Sequence, residues 1–384
     1  MRSMDDVLLD GRVVLVRVDF NISVGSNGKV DEDEDYRLEA ALPTIRELQQ
    51  RRCRIVLLTH VGEFGENLDL KPIQNRLADL LKEDIASAKH LYGNEVKTKV
   101  AALEPGGILL LPNVRSDSRE KVPNEQFGKQ LSEVADIYIN EAFSVCHREH
   151  TSVVVLPSLL PSCAGRRTIQ EVEVLEKLKQ SPEHPYVAVV SGAKIETKEK
   201  LIRSLLQKVD MVCIGGQLAN VFLCAQKKYV SNVFTASDCA LAESLLQEAG
   251  DKIVLPLDIV IGADDGHNAQ TVLIDAIPEG TLDIWDLGPQ SVQKFAEVCS
   301  TAKTVMWNGP LGRFEVKEYA EGTYAFAKLL ANQKSFRVLG GGETVTSLEQ
   351  LNLVSKFDHV SVGGGAMVTY LEGGSMPGLA PLYG

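Results

Sequence analysis

Short apolar runs rich in β-branched residues return along the whole chain, with helical patterns between them. No other feature limits the fold as strongly. The runs lie at 13–18, 55–58, 108–111, 137–139, 187–190, 211–214, 253–255, 304–307 and 338–339. Each has the length of a strand buried on both faces. Ile73, Leu77, Leu80 and Leu81 follow helical spacing behind Pro72, which suits a first helical turn. Phe127, Leu131 and Val134 repeat that spacing, as do Leu201, Ile202, Leu205 and Leu206, and then Val292, Phe295, Ala296 and Cys299. Gly250 stands where a helix ending at Ala249 would place its C-cap. Strand–helix alternation on this scale predicts an α/β protein whose parallel sheets are flanked by helices.

The chain has 384 residues, a length that suits two domains rather than one. The middle breaks the pattern. Pro157 and Pro161 precede a helical stretch through Ile169, Val172, Leu175 and Leu178, which ends before Pro182 and Pro185. We read this stretch as a connector. The expected layout is an N-terminal domain at 1–160, an interdomain helix or hinge at 161–185, a C-terminal domain at 186–365, and a terminal segment at 366–384. Each domain is then a three-layer α/β/α sandwich, and the two form a bilobal chain.

A formal charge of -12 disfavours non-specific binding to nucleic acid or anionic membranes. The longest apolar runs fall short of a transmembrane helix, and the acidic Asp5-Asp6 near the start argues against a secretory leader. The seven cysteines never form C-x-x-C and mostly sit in apolar runs, as expected of thiols packed in a reducing cytoplasm.

Ligands of open parallel sheets bind beyond the carboxyl ends of the strands. Two contrasting groups occupy those positions. The second half carries glycine clusters at 192, 215–216, 309, 340–342 and 363–365. Glycine lets backbone N–H groups approach a phosphate. Neither a Walker A sequence nor G-x-G-x-x-G after a strand is present, which disfavours a P-loop enzyme or a dinucleotide dehydrogenase. The first half carries Arg17, Asp19, Asn21, His60, Arg115, Asn140, Glu141 and the run His147-Arg148-Glu149-His150, with Arg37 opening a helix. Converging arginines could cradle a phosphate or carboxylate. A metal at His147 and His150 lacks a third ligand of suitable spacing. The two groups together suggest transfer between two bound ligands.

The same residues resemble the phosphoglycerate kinase family. The resembling stretches are 14–21, 37–45, 111–115 and 140–143 with His147 and Arg148, followed by 191–194 with Lys198, 255–258, 286–289, 307–310 with Glu315, 340–344 and 363–366. They keep the family's order from about residue 7 to 380. The resemblance implies reversible phosphoryl transfer between 1,3-bisphosphoglycerate and ADP, giving 3-phosphoglycerate and ATP, with Mg2+. It implies that Asp19, Asn21, Arg37, His60, Arg115 and Arg148 hold the phosphoglycerate. It assigns Lys194, Lys198, Gly215, Gly216, Asn308, Glu315, Gly340, Gly341, Gly342, Glu343 and Thr344 to the nucleotide, Glu343 to the metal, and Arg37, Lys194, Gly342 and Gly365 to the transfer itself. A cytoplasmic, hinge-closing monomer with a C-terminal segment returning to the N-terminal domain is expected on the same ground.

Four positions depart from the family pattern. Glu63 stands where the family has an Arg, Glu343 where it has an Asp, Thr197 where it has an Asp, and Val362 where it has a Thr. Glu63 would set a carboxylate beside an anionic ligand. It motivates an alternative, a related phosphotransferase with a shifted acyl-phosphate substrate. A non-catalytic nucleotide-binding relative is the third reading, and retention of Arg37, Lys194 and Lys198 speaks against it.

Overall fold

The structure, a computed structural model, describes every residue except 26–27, 31–33, 65–67, 230–232, 279, 281–282 and 384. The chain forms two compact units, Met1–Leu175 with Gly374–Gly384, and Glu176–Gly373. The division falls inside a helix, Arg166–Gln180, which lies within the 161–185 stretch read from sequence as a connector. The segment belonging to the first unit begins at Gly374, later than the 366 expected from sequence.

The first unit has a six-stranded parallel sheet made of β1 (Val13–Val18), β2 (Arg54–Leu58), β3 (Ala86–Ser87), β4 (Ile108–Leu110), β5 (Ile137–Glu141) and β6 (Ser162–Ala164), in the order β3-β4-β2-β1-β5-β6. Side chains alternate across a strand, and so does the core. Val14, Val16, Ile55, Leu57, Ile108 and Ile139 face one cluster, shared with α1 (Tyr36–Gln50) and α2 (Lys71–Leu81). Leu15, Val56, Leu58, Leu109 and Tyr138 face another. That second cluster includes α3 (Asn94–Ala101), α4 (Glu125–Ser132) and the short α5 (Leu156–Leu159). Three layers result, because the central strands β1, β2, β4 and β5 are apolar on both faces.

The second unit repeats the plan. Its parallel sheet has the order β15-β14-β13-β7-β8-β9, with β7 (Tyr186–Val190), β8 (Met211–Ile214), β9 (Ile253–Val254), β13 (Thr304–Asn308), β14 (Phe336–Gly340) and β15 (His359–Ser361). A separate antiparallel sheet holds β10 (Asp258–Ile261), β11 (Gln270–Leu273) and β12 (Ile284–Leu287). This sheet was not expected from sequence, and neither were β3, β6 and β15. All are short, and turn residues interrupt the antiparallel set. The helices after α6 (Arg166–Gln180) are α7 (Glu199–Leu206), α8 (Gly216–Ala225), α9 (Ala236–Ala249), α10 (Pro289–Ser300), α11 (Glu321–Ala331), α12 (Gly342–Glu349) and α13 (Gly365–Leu371). Among the described residues no helix is long and apolar enough to cross a membrane.

Two buried groups at the end of β5 fasten the first unit. Asn140 donates from Nδ2 to the Gly378 carbonyl at 3.2 Å, and the Gly378 N–H donates to the Cys146 carbonyl at 2.9 Å. Asn140 therefore anchors the terminal segment. Glu141 receives the Thr44 hydroxyl and the N–H groups of Arg167 and Thr168, and so caps the start of α6. A Cβ at position 165 would lie 2.1 Å from the Glu141 Oε2, so glycine there leaves room for the carboxyl.

Burial raises the Glu141 pKa from its ordinary 4.5 to about 7, although its hydrogen-bond donors pull the other way. The folded state therefore binds more protons than the unfolded chain between those values. The stability this contributes is complete below pH 4.5 and is lost as pH rises through 7. Glu141→Gln should flatten the fall of unfolding free energy between pH 5 and 8 by on the order of 3 kcal/mol at most. Urea unfolding of both proteins at each pH measures this. Equal pH slopes would remove Glu141 as the source.

Candidate active site

In the first unit the ends of β1, β2 and β4 converge with the start of α1 and the 144–150 segment. The end of β1 is tied to that of β2, since the Phe20 N–H donates to Thr59 Oγ1 at 2.9 Å. The Asn21 Oδ1 accepts the Gly62 N–H at 2.9 Å, which pins the loop after β2. Asn113 pairs with both backbone groups of Val61, at 3.2 and 2.8 Å, and aligns the end of β4 with the same loop. Arg115 follows. Its guanidinium donates to the Gly62 carbonyl and lies 4.8 Å above the Phe64 ring.

Arg37 donates to Asp19 at 2.8 Å from the first turn of α1. Burial opposes the Asp19 charge, but Arg37, with hydrogen bonds from Ser144 and the Asn21 N–H, outweighs it and holds the pKa at about 2. Two buried guanidinium nitrogens, the Nε atoms of Arg37 and Arg115, have no hydrogen-bond partner among the described residues. An unsatisfied buried donor is costly, so both await an acceptor.

The field here is positive. Burial, then Arg17, keeps His60 well below the usual histidine range, with Arg115 and Arg148 adding to the effect. Burial, then Arg17 and Arg148, lowers His150 to about 3. Burial and Arg148 lower His147 as well. These histidines are neutral at neutral pH, and the surrounding arginines repel a cation. Among the described residues no group of three or more His, Cys, Asp or Glu is placed to hold a metal ion. Of the sequence-named residues, Asp19, Asn21, Arg37, His60 and Arg115 interlock through these contacts. Arg148 is exposed and reaches the group through its charge and through His147, 3.3 Å away.

Arg17 has a different part. It is fully buried, donates to Ser152 Oγ at 2.9 Å, and lies 3.2 Å from His60 Nδ1. Ser152 in turn donates to the buried Glu120 at 2.6 Å. Burial raises the Glu120 pKa, with Arg17 the first group opposing it. No local motif marks Glu120, because its role exists only where 120 and 152 meet.

In the second unit a cavity of about 550 Å3 is lined by Ser191, Gly192, Ala193, Gly216, Gln217, Trp285, Pro310, Gly312, Arg313, Glu315 and Glu343. It lies at the ends of β7 and β13, neighbours whose onward connections run in opposite directions. Such a switch point opens a crevice. Close backbone approach explains two glycines. Gly309 has φ 98°, and a Cβ there would come within 2.6 Å of the Ser191 carbonyl oxygen. Gly216 has φ 58°, and its Cβ would strike the Ser191 hydroxyl.

Gly216, Glu315 and Glu343 are the sequence-named residues on this wall. Lys198 donates to Asn308 at 2.7 Å, and Thr344 Oγ1 accepts the Gly309 N–H at 2.9 Å. Burial lowers the Lys198 pKa, while Glu372 and Glu343 oppose the shift. Gly215, Gly340, Gly341, Gly342 and Gly365 lie at strand ends and helix starts off the wall. Lys194 is exposed and also off the wall. Sequence reasoning missed Trp285 and Arg313. The Arg313 guanidinium sits 4.9 Å above the Trp285 ring, whose other close neighbour is Tyr319, stacked at 5.8 Å. Their signal was adjacency to the recognised stretches 286–289 and 307–310. A second cavity of about 540 Å3, behind β12, is lined by no basic side chain and does not suit phosphates.

The four departures have distinct settings. Thr197 donates its hydroxyl to the Lys194 carbonyl at 2.8 Å. Val362 is buried. Glu343 is exposed on the cavity wall. Glu63 is exposed and favours the charge on Arg115.

An anion cradle on one parallel α/β unit and a glycine-walled cavity on the other are the parts of a two-substrate kinase. The family model for phosphoglycerate kinase matches residues 4–374. The phosphoglycerate kinase of Pelotomaculum thermopropionicum is 38% identical over 391 residues, covering 99% of this chain and 98% of that protein. The Herpetosiphon aurantiacus enzyme is 39% identical with the same coverage. Among solved structures, phosphoglycerate kinase from Coxiella burnetii matches with a TM-score of 0.84 at 32% identity, covering 99% of this chain and 98% of that one. The Pyrococcus horikoshii OT3 enzyme matches with a TM-score of 0.91 at 28% identity, covering 100% and 98%. The chain belongs to the phosphoglycerate kinase family. Phosphoglycerate kinase function, phosphotransfer with a carboxyl group as acceptor, is supported by family, relatives and structures together.

The positive field has a direct readout. By NMR titration His150 should stay neutral from pH 8 down to pH 4. Arg148→Ala should raise the pKa of both His147 and His150, because Arg148 lowers each. A wild-type His150 titrating near its ordinary value would contradict this geometry.

Proposed function

We propose that Asp19, Asn21, Arg37, His60, Arg115 and Arg148 bind 3-phosphoglycerate or 1,3-bisphosphoglycerate. The glycine-walled cavity takes ADP or ATP. The observation that carries this reading is the unsatisfied positive cradle, with two buried guanidinium nitrogens lacking an acceptor. An oxygen of the ADP β-phosphate attacks the acyl phosphorus. The bond from phosphorus to the carboxyl oxygen breaks and leaves a carboxylate. Such a transfer needs in-line positioning and neutralised charge rather than a protein nucleophile. Arg37 and Lys194 supply positive charge to the migrating group. The backbone donors at 342 and 365 orient it. Lys198, held by Asn308, serves the nucleotide phosphates with Gly215, Gly216, Gly340, Gly341 and Thr344. Glu315 accepts from the ribose hydroxyls.

Mg2+ typically takes one or two carboxylates and completes its shell with phosphates and water. The exposed Glu343 carboxylate on the cavity wall suits that donor set. When bound, the ion neutralises phosphate charge. The two ligands must meet and water must be excluded, so we assign closure to the 161–185 segment. A cytoplasmic, monomeric enzyme of glycolysis and gluconeogenesis is the matching setting.

A coupled assay with 3-phosphoglycerate and MgATP tests the reading. Turnover supports it. Nucleotide binding without turnover would favour the shifted substrate that Glu63 suggests. Lys194→Ala should lower kcat about 100-fold or more, far more than it raises either KM, since a cation on the migrating group acts mainly in the transition state. An unchanged kcat would remove Lys194 from the reaction centre.

Glu63→Arg should lower KM for 3-phosphoglycerate roughly five-fold at low salt, about 1 kcal/mol after solvent screening. The KM for ATP should not move, because position 63 belongs to the other unit. Loss of this effect at low salt would mean that Glu63 faces away from the ligand.

The nucleotide has a spectroscopic handle. Trp307 is fully buried, whereas Trp285 lines the cavity. ADP should change the tryptophan emission, and Trp285→Phe should abolish most of that change. An undiminished signal in the variant would place the base elsewhere.

A further inference from the structure

The second unit holds a feature unrelated to phosphoryl transfer. Cys224, next to last in α8, and Cys239, in the second turn of α9, bring their sulfur atoms to 3.1 Å, with Cys239 donating to Cys224. The separation is 15 residues in sequence. Both are partly exposed, while Cys53, Cys146, Cys163, Cys213 and Cys299 are buried. A small oxidant can therefore reach this pair and is shut away from the other five.

We propose that Cys224 and Cys239 form an oxidation site that closes to a reversible intramolecular disulfide on meeting a low-molecular-weight disulfide. A disulfide needs its sulfur atoms about 2 Å apart, so closure asks for about 1 Å of approach. Cys224 lies in the last turn of α8, which stops at Ala225, so the approach is asked of a helix end and not of its middle. The Cys239 thiol donates to the Cys224 sulfur, which places Cys224 as the first nucleophile, and burial with the neighbouring sulfur raises the Cys239 pKa to about 11. Cys224 loses its proton and attacks one sulfur of the small disulfide, releasing the first thiol. Cys239 then loses its proton and attacks the Cys224 sulfur of the mixed disulfide, releasing the second. Two protons pass from the cysteines to the two released thiols. The cysteine pair is oxidised by two electrons and the small disulfide is reduced by two. The far end of α8 begins at Gly216 on the cavity wall, so the bond would tie down the helix that carries that wall.

The test uses the reduced full chain, folded, with glutathione disulfide as the probe. Acid quenching, unfolding and alkylation should show two of the seven thiols protected and an intact mass lower by about 2 Da, with no adduct. A cross-linked peptide should contain positions 224 and 239. The Tm should rise by about 5 °C, because a short loop of the unfolded chain is closed, and dithiothreitol should reverse every change. Cys224→Ala and Cys239→Ala should each prevent the loss of two thiols. The proposal fails if all seven thiols remain free. It fails equally if a stable glutathione adduct accumulates on the wild-type chain, or if either variant still loses two.

Discussion

Parallel pairing is the constraint on which everything else depends. It sends the carboxyl ends of β1, β2, β4 and β5 to one edge of the first sheet, and those of β7, β13 and β14 to one edge of the second. Residues far apart in sequence become neighbours without any local motif joining them. Asp19, His60 and Arg115 meet because the strands before them are in register. The glycine turns at 192, 216 and 309 meet for the same reason. Both faces of each strand must be apolar to sustain the pairing, and the alternation of Val14, Leu15 and Val16 between two cores shows the arrangement at residue level.

A cluster of arginines beside a buried sheet edge is unfavourable unless its charge is managed. The first unit does this in two ways. Arg17 is fully buried and is answered by Ser152 and Glu120, which only partly offset its charge. Arg37 is balanced by Asp19 on one side only. The remaining charge keeps three histidines neutral and leaves guanidinium donors without acceptors. Such a site is prepared for an anion. It is held rigid by uncharged groups, Asn21 and Asn113, which fix the loop after β2 from opposite sides.

The second unit is built differently, with glycine turns along much of its cavity wall. Positive φ values at 192, 216, 309, 341 and 364 permit sharp turns at strand ends. Asp286, which lines the second cavity behind β12, is pushed up to about 7 by burial, so it carries only part of a negative charge at neutral pH. The departures of this chain fall on surfaces of these two designs rather than in their cores, Val362 excepted.

The sequence by itself determined the α/β class, most strands of the two parallel sheets, and the split between an arginine-bearing half and a glycine-bearing half. Those are local properties, since strand length, apolar period and turn chemistry are written in consecutive residues. It also placed the phosphoglycerate kinase resemblance on short stretches that keep their spacing. Tertiary structure alone decided what those residues touch. Asn140 and Glu141 read as site residues, yet one holds the returning C-terminal segment and the other caps α6. Glu120, Trp285 and Arg313 carry no signal of their own and matter only through partners met across the fold. The antiparallel sheet escaped notice because its strands are short and their pairing is non-local. Side-chain chemistry is encoded residue by residue, but burial and opposing charge, which set pKa and partner, are fixed only when the chain has folded.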